Sequence, residues 1–194
     1  MITEGPKLHY WNYFLAIESD LEKLSRYIEF SEDNLNTYSI ELAQILLTAA
    51  SEVDVLLKDI LTLMEVPLER NNMYCYRNAI VEHLPGMIQE RVYVGRSSLI
   101  FQPWDNLLDD KAPFWWEGYN SVKHHRNQFF PNANLQNTLN AVGGLLIVVI
   151  YYYKIEYELH EKKEINFRDI TFKLQSVSNF ISLNSDYYFK SIVG

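Results

Sequence analysis

The stretch "WWEGYNSVKHHRNQFF", residues 115–130, holds polar and aromatic side chains more densely than any other part of the chain. A histidine is the natural general acid or base near neutral pH. A lysine or arginine beside it can stabilise the charge that develops on a phosphorane, and an asparagine can orient the imidazole or a phosphate oxygen. These are the parts of a metal-independent ribonuclease site. The candidate catalytic residues are therefore Asn120, Lys123, His124 and Arg126.

Helical spacing places these candidates on different faces of a predicted helix. At about 100° per residue, Asn120, Lys123 and Asn127 share one line, and His124 lies one turn beyond Asn120. His125 points nearly opposite Lys123 and is a weaker candidate. The spacing therefore groups the asparagines with Lys123 and His124.

Arg126 falls instead on the apolar face of the same helix, in line with Trp115, Tyr119, Val122 and Phe129. An arginine in that position lies either at the end of the helix that emerges into solvent or buried against a carboxylate, because burial without a partner is costly. Acidic residues of an earlier helix are the candidate partners: Glu41, Glu52, Asp54 and Asp59.

The same residues also have a structural interpretation. They could form a polar network at a helix end, or a helix interface in which Trp116 and His124 pack, and spacing alone favours this interpretation over catalysis. No metal is expected, because the adjacent His124 and His125 diverge by about 100° on a regular helix. No cofactor is expected either, because the sequence has no P-loop, no Gly-rich dinucleotide-binding turn and no G-x-S-x-G elbow.

The charge balance limits the kind of partner. The chain has 194 residues and a formal net charge of -8, which is unlike a protein that coats nucleic acid, because phosphate binding requires a basic surface. Lys123 to Arg126 is the best candidate for a local basic cleft. Cys75 is the only cysteine, so neither an intramolecular disulfide nor a cysteine-based zinc site can form. This and the lack of a secretion-signal pattern near the first residues indicate a cytoplasmic protein.

Five helices are predicted to position these residues. Apolar residues that recur every three or four positions identify the helices, and cap residues and prolines mark their ends. The predicted helices span 8–29, the stretch from a cap at Thr37 or Ser39 to Pro67, 73–84, 114–128 and 133–158.

The last of these helices carries the most apolar run of the chain, residues 141–153. The run is shorter than the ~20 residues needed to cross a bilayer, and charged Lys154 and Glu156 follow it. We therefore expect a buried core helix and no membrane partner. Gly143-Gly144 in its interior permits the close approach of another helix.

Two segments add strands to the helical plan. "RVYVGRSSLIF", residues 91–101, has two apolar runs around Gly95 and predicts a β-hairpin insertion that lies on the helices. Residues 165–174 alternate between apolar and polar side chains, which predicts a strand or strand pair in a peripheral C-terminal extension, 161–194. The expected fold is a single mainly α domain over 1–194: a bundle of about five helices with a small hairpin and a C-terminal strand pair.

The order of these elements resembles a known superfamily. An early amphipathic helix, a helix carrying "YNSVKHHR" and a long apolar helix after it are similar to the HEPN (higher eukaryotes and prokaryotes nucleotide-binding) superfamily, over roughly residues 8–158. Many HEPN proteins are metal-independent endoribonucleases of toxin-antitoxin, phage-defence and CRISPR-type systems. Others are non-catalytic RNA- or nucleotide-binding modules. The resemblance implies a HEPN-like helical bundle and RNA as a partner.

The motif of catalytic HEPN members is an arginine followed four to six residues later by a histidine, often with a polar residue right after the arginine. "YNSVKH" matches the polar residue at Asn120 and the histidine at His124, but Tyr119 stands where the arginine is expected. "RNAIVEH" is the fuller match and offers a weaker second site at Arg77, Asn78 and His83. Because catalytic members usually pair two motifs, the resemblance also implies a homodimer.

Two functional hypotheses follow. The first is a HEPN-like, RNA-acting protein, a metal-independent endoribonuclease of a bacterial defence or toxin system whose protein partner would be an antitoxin. The second is a non-catalytic helical module that binds a protein or RNA, in which the "YNSVKHHR" segment is structural. Exposure of Lys123 and His124 in a groove would favour the first, and burial against the second helix would favour the second.

Overall fold

Two long helices, α2 (Ile40–Leu63) and α6 (Leu135–Glu161), pack against each other at the centre of the protein. The computed structural model describes residues 6–174, 180–184 and 187–188. Within them the chain is mainly helical, with a small three-stranded antiparallel sheet, so the predicted fold class is confirmed at this level. The further α-helices and the strands are α1 (His9–Leu24), α3 (Met73–His83), α4 (Gly86–Gln89), α5 (Phe114–Phe129), α7 (Phe167–Lys173), β1 (Val92–Val94), β2 (Ile100–Phe101) and β3 (Ile181–Ser182).

The sequence of α2 explains its start and its buried face. The Ser39 side chain caps the helix by accepting a hydrogen bond from the Leu42 backbone N–H at 3.1 Å, which satisfies one of the free donors of the first turn. The predicted apolar stripe is buried, and the Thr138 hydroxyl of α6 reaches across to the Leu42 carbonyl oxygen at 3.2 Å. The buried stripe comprises Leu42, Ile45, Leu46, Ala49, Val53, Leu56, Leu57 and Ile60.

α6 is the core helix that its apolar run predicts. Asn134 caps it by accepting from the Asn137 N–H at 2.9 Å. By length and composition α6 could cross a membrane, but 83% of its most apolar window is buried inside the protein. A Cβ atom at Gly143 would lie 3.1 Å from the Val92 methyl groups, and one at Gly144 would lie 3.0 Å from the Trp115 ring. The glycine pair therefore lets both β1 and α5 approach the α6 backbone closely.

α1 is shorter than predicted and ends at Leu24 rather than at residue 29. The N–H groups of Arg26 and Tyr27 bond to carbonyls three residues back, which closes the helix in a tight turn. The turn still brings Ile28 against the core. This contact keeps Ile28 in the apolar spacing although it lies outside the helix.

The predicted hairpin is confirmed, and it gains a third strand. β1 pairs antiparallel with β2 through Val92↔Phe101 and Tyr93↔Ile100. On its other edge β1 pairs antiparallel with β3 through Val94↔Ile181. Because β1 lies in the middle and packs Val92 on α6, the sheet is held to the helical body.

The strand predicted over 165–174 is wrong, because most of this segment forms α7. Asn166 caps α7 by accepting from the Asp169 N–H at 2.9 Å, and Ile170 and Leu174, four residues apart, are buried on one face. The cap and this spacing outweigh the apolar-polar alternation. The tail contributes one described strand, β3, rather than a strand pair.

β3 is anchored by a buried carboxylate from the other end of the chain. Glu18 of α1 accepts hydrogen bonds from the backbone N–H groups of Phe180 and Ile181 at 2.9 and 2.8 Å. Phe180 also packs against the Phe30 ring at a centroid distance of 5.7 Å. Phe180, Ile181 and Leu183 of the tail belong to the core cluster.

Candidate functional site

The first half of α5 is fixed to the body by its aromatic side chains. The Trp115 indole is buried and donates from Nε1 to the Pro103 carbonyl oxygen at 2.8 Å. A Cβ atom at Gly118 would lie 2.5 Å from Asn137 Nδ2, so the α5 backbone approaches α6 closely there. Tyr119 and Val122 complete the buried face. This part of the predicted apolar face is confirmed.

The second half of α5 stands free of the body. Every residue from 123 to 129 is exposed, and His125 has non-helical backbone angles (φ -138°, ψ 44°) that kink the helix. Neither proline nor glycine lies at the kink, which instead follows Val122, the last buried residue of α5. Beyond Val122, no residue of α5 is buried. The side-chain directions predicted from a regular helix therefore do not apply after His125.

The exposed end of α5 corrects the prediction for Phe129 and decides between the two alternatives for Arg126. Arg126 and Phe129 are exposed rather than buried, and Phe129 keeps 43% of its surface accessible. Among the described residues Arg126 has no ion pair, and none of the four carboxylates suggested for it is its partner. Of the two sequence-based alternatives, the emerging helix end is the correct one.

Two of those carboxylates have other donors. Asp54 accepts from the Tyr76 hydroxyl at 2.9 Å, and Tyr10 donates its hydroxyl to Asp59. Both contacts tie α2 to a neighbouring helix. Asp54 and Asp59 of α2 therefore take part in interhelical hydrogen bonds rather than in a pair with Arg126.

Lys123 is held by its own helix. Its ammonium lies 2.8 Å from the hydroxyl oxygen of Tyr119, one turn earlier, and 5.1 Å from the centroid of the tyrosine ring. This hydrogen bond, together with the electrostatic effects of Tyr119 and Asp54, raises the pKa of Lys123 above its usual value although slight burial opposes the shift. The ammonium stays charged and marks the boundary between the buried and exposed halves of α5.

The asparagine and histidines do not form a hydrogen-bonded unit. Asn120 is half-buried, whereas His124 and His125 are exposed, and no hydrogen bond joins these three side chains within the described part of the chain. The two imidazole rings lie 6.5 Å apart, and the His125 ring lies 6.4 Å from the Phe129 ring. Sequence spacing correctly places these residues on one helix but does not predict how far apart their functional atoms lie.

Two depressions meet at the end of α5. An open polar one of about 480 Å³ is lined by residues 123–128. A more apolar groove of about 550 Å³ lies between α5 and the start of α2. Arg126 and Asn127 line both, so the two depressions adjoin at these side chains. The groove is completed by Ile40, Ala43, Gln44, Leu47 and Phe130.

The groove residues of α2 were missed by sequence reasoning. Ile40 and Gln44 lie on the exposed flank of an amphipathic helix, where their types carry no functional signal. They become part of a site only because α5 ends beside them, and that proximity depends on how α2, α5 and α6 pack. The sequence holds no local pattern that could have identified them.

The second candidate site is occupied by structural contacts. Arg77 donates from Nε to the Leu107 carbonyl oxygen at 3.1 Å, and its Nη1 lies 2.8 Å from Asp110 and 2.9 Å from the Asn78 side-chain oxygen. These bonds tie α3 to the 3-10 helix Asp105–Asp109. His83 lies six residues further along α3, about 9 Å along the axis, with Glu82 as its neighbour at 3.9 Å. Arg77 and Asn78 are together, but His83 does not join them.

Within the described residues, no cluster of three or more His, Cys, Asp or Glu side chains could hold a metal ion. No protein-family model, curated protein or solved structure matches this chain. What the site can do therefore follows from its own geometry: two cationic side chains, two imidazoles and two amides, all exposed at the kinked end of α5.

Proposed function

We propose that the protein acts on RNA and that the exposed second half of α5 makes the contact. The observation that carries this proposal is the uninterrupted exposure of residues 123–129 in a chain of net charge -8. This stretch contains Lys123, Arg126 and two histidines and no acidic residue. None of the residues that line the two depressions is acidic either. The surface is thus a local positive site that suits phosphate.

The other side chains of the stretch fit the same ligand. The amides of Asn127 and Gln128 can donate to phosphate or sugar oxygens, and the exposed Phe129 ring can stack on a base. A purely structural role would require these side chains to be buried or hydrogen-bonded to the body, whereas they are exposed and form no hydrogen bond with it within the described part of the chain. Their exposure supports binding.

Metal-independent cleavage is the finer proposal. His124 would take the proton of a ribose 2′-hydroxyl, whose oxygen attacks the adjacent phosphorus. The bond from phosphorus to the 5′-oxygen then breaks, the leaving oxygen takes a proton from solvent, and a 2′,3′-cyclic phosphate and a 5′-hydroxyl result. Arg126 would stabilise the charge on the phosphorane. As in the HEPN proteins that the sequence resembles, a homodimer would place two such sites side by side.

Binding without cleavage is the second candidate function, and one observation favours it. Tyr119, which stands where HEPN ribonucleases carry their arginine, is 4% exposed and packs in the core. Lys123 is bonded to it rather than directed towards His124. If no other cation approaches His124 on RNA binding, the protein would hold RNA without cutting it.

RNA binding and cleavage can be measured separately. Fluorescence anisotropy with a mixed-sequence oligoribonucleotide tests binding, and gel analysis in EDTA and in magnesium tests cleavage. Arg126→Glu should weaken binding about tenfold or more. It should also reduce the slope of log K against the logarithm of the salt concentration by about one, the value of one phosphate contact. Arg91→Glu, an equivalent change at an exposed arginine outside both depressions, is the matched control.

The outcomes distinguish the candidates. His124→Ala should abolish cleavage and leave the dissociation constant nearly unchanged if the protein is a ribonuclease. Binding without cleavage in the wild type identifies the non-catalytic function. If the wild type does not bind RNA, or if Arg126→Glu and Arg91→Glu bind equally, the proposal is wrong.

A further inference from the structure

The groove between α2 and α5 has an apolar floor that phosphate binding does not need. Ile40, Ala43, Leu47 and Phe130 supply the floor, and Ile40 leaves 67% of its surface accessible. Contiguous exposed apolar surface with polar residues at its rim is typical of a ligand-binding groove. Its lining thus points to a flat apolar group beside the charged site.

Phe130 is held as a fixed aromatic surface. Its ring packs edge-on against Tyr38 at a centroid distance of 5.6 Å. The loop before α2 is pinned to the start of α6 by the Leu135 N–H on the Thr37 carbonyl at 2.9 Å and by a β-bridge between Tyr38 and Asn134. Because these contacts fix the groove wall, a ring that stacks on Phe130 pays little ordering cost.

Polar groups stand at the rim of the groove. Gln44 of α2 and Asn127 of α5 both line it and both carry amides, which can hydrogen-bond to the edge of a base. Arg126 lines the groove and the polar depression together. A group in the groove would therefore lie beside a phosphate bound to Arg126.

We propose that this groove takes one unstacked nucleobase of a single-stranded RNA whose adjacent phosphate lies on Arg126. The inference rests on the proposed RNA function and adds the form of RNA that the site accepts. A base in a duplex is stacked and paired, so it cannot enter a groove beside the helix end without being extruded. A single strand can place its base on Phe130 and its backbone on the basic end of α5.

The test compares a labelled single-stranded oligoribonucleotide with its blunt duplex. We expect the wild type to bind the single strand about tenfold more tightly, in line with the value of one base-aromatic stack. Phe130→Leu, which keeps apolar volume but removes the ring, should abolish most of this preference and leave duplex binding unchanged. Ile40→Glu should weaken single-strand binding, whereas Val55→Glu, the same kind of change at an exposed apolar position of α2 outside the groove, should not.

Three other outcomes would contradict the base groove, the RNA function or both. If Arg126→Glu weakens RNA binding while Phe130→Leu and Ile40→Glu do not, RNA binding stands and the base groove is wrong. If Ile40→Glu changes the sedimentation of the protein from dimer to monomer without altering the single-strand preference, the groove is an interface between two copies. If the wild type binds neither RNA, both proposals fail.

Discussion

Lys123 and Arg126 lie three residues apart in α5 but differ in what holds them. The Lys123 ammonium rests on the hydroxyl of buried Tyr119, while the Arg126 guanidinium has no ion pair among the described residues. A cation that is already paired with a neutral hydroxyl moves less towards a ligand than an unpaired one. Arg126 is therefore the side chain on which phosphate recognition should depend most.

Arg77 illustrates the opposite case, a cation used for structure. Its guanidinium bonds a carbonyl and a carboxylate of the segment after β2. We expect Arg77→Ala to lower the free energy of unfolding by about 1–3 kcal/mol, the usual cost of removing hydrogen bonds from a charged group. In a chain of this size the melting temperature would fall by roughly 2–4 °C per kcal/mol, measurable by circular dichroism.

His83→Ala is the informative comparison for Arg77→Ala. If the two residues were a catalytic pair, both substitutions would reduce RNA cleavage to a similar degree. Within the described part of the chain, His83 forms one ionic contact, with Glu82 at 3.9 Å, so its removal should leave the melting temperature nearly unchanged. RNA cleavage, where present, should survive both substitutions. Equal losses of activity at unchanged stability would instead make Arg77 and His83 a functional site.

At the scale of elements, the sequence best predicts the long helices, in which apolar residues recur at helical spacing over many turns. α2 and α6 follow from apolar spacing, because burial of a continuous stripe dominates their energetics, and Ser39 is one of the two caps predicted for α2. The segment of α7 predicts a strand because its seven residues fit both the helical period of about 3.6 residues and the strand period of two. The exposed position of Arg126 was one of two open alternatives, since helical spacing assumes a regular helix and the kink at His125 has no sequence signal.

The contact between β1 and α6 can be tested by a double-mutant cycle. Gly143→Ala alone would place a Cβ atom 3.1 Å from the Val92 methyl groups, and this overpacking should offset the ~1 kcal/mol of helix propensity that alanine adds. Val92→Ala removes those methyl groups and makes room for the new atom. We therefore expect the double variant to be more stable than the sum of the single effects predicts, with a coupling of about 1 kcal/mol from urea unfolding.

Val94→Ala provides the control for this cycle. Val94 is buried on the same strand but is not among the atoms nearest to Gly143. Its effect and that of Gly143→Ala should add without coupling. Equal coupling for both valines would mean that β1 as a whole shifts, and zero coupling for Val92 would place the hairpin elsewhere on α6.

At the scale of the whole molecule, buried carboxylates join distant parts of the chain. Glu18 links α1 to β3, and Glu90 accepts from the Tyr187 hydroxyl at 2.8 Å. These bonds tie the described part of the tail to the helical body, which neither composition nor spacing reveals because the partners are 97 or more residues apart in the chain. Acidic residues thus stabilise contacts in the body, while the exposed end of α5 remains free of them.

Carboxylate burial should also set how stability depends on pH. Desolvation raises the pKa values of Glu90, Glu52 and Glu156 above 4.5, although tyrosine hydrogen bonds to Glu90 and Glu156 oppose it. The folded state then binds protons more tightly than the unfolded chain, so stability should rise as pH falls through the raised values and level off near 4.5. We expect a higher melting temperature at about pH 5 than at about pH 7.5.

Glu90→Gln, which keeps an acceptor for Tyr187, should weaken this dependence, whereas Glu69→Gln at an exposed position should not. A melting temperature that is flat or rises with pH across this interval would show that these carboxylates are solvated.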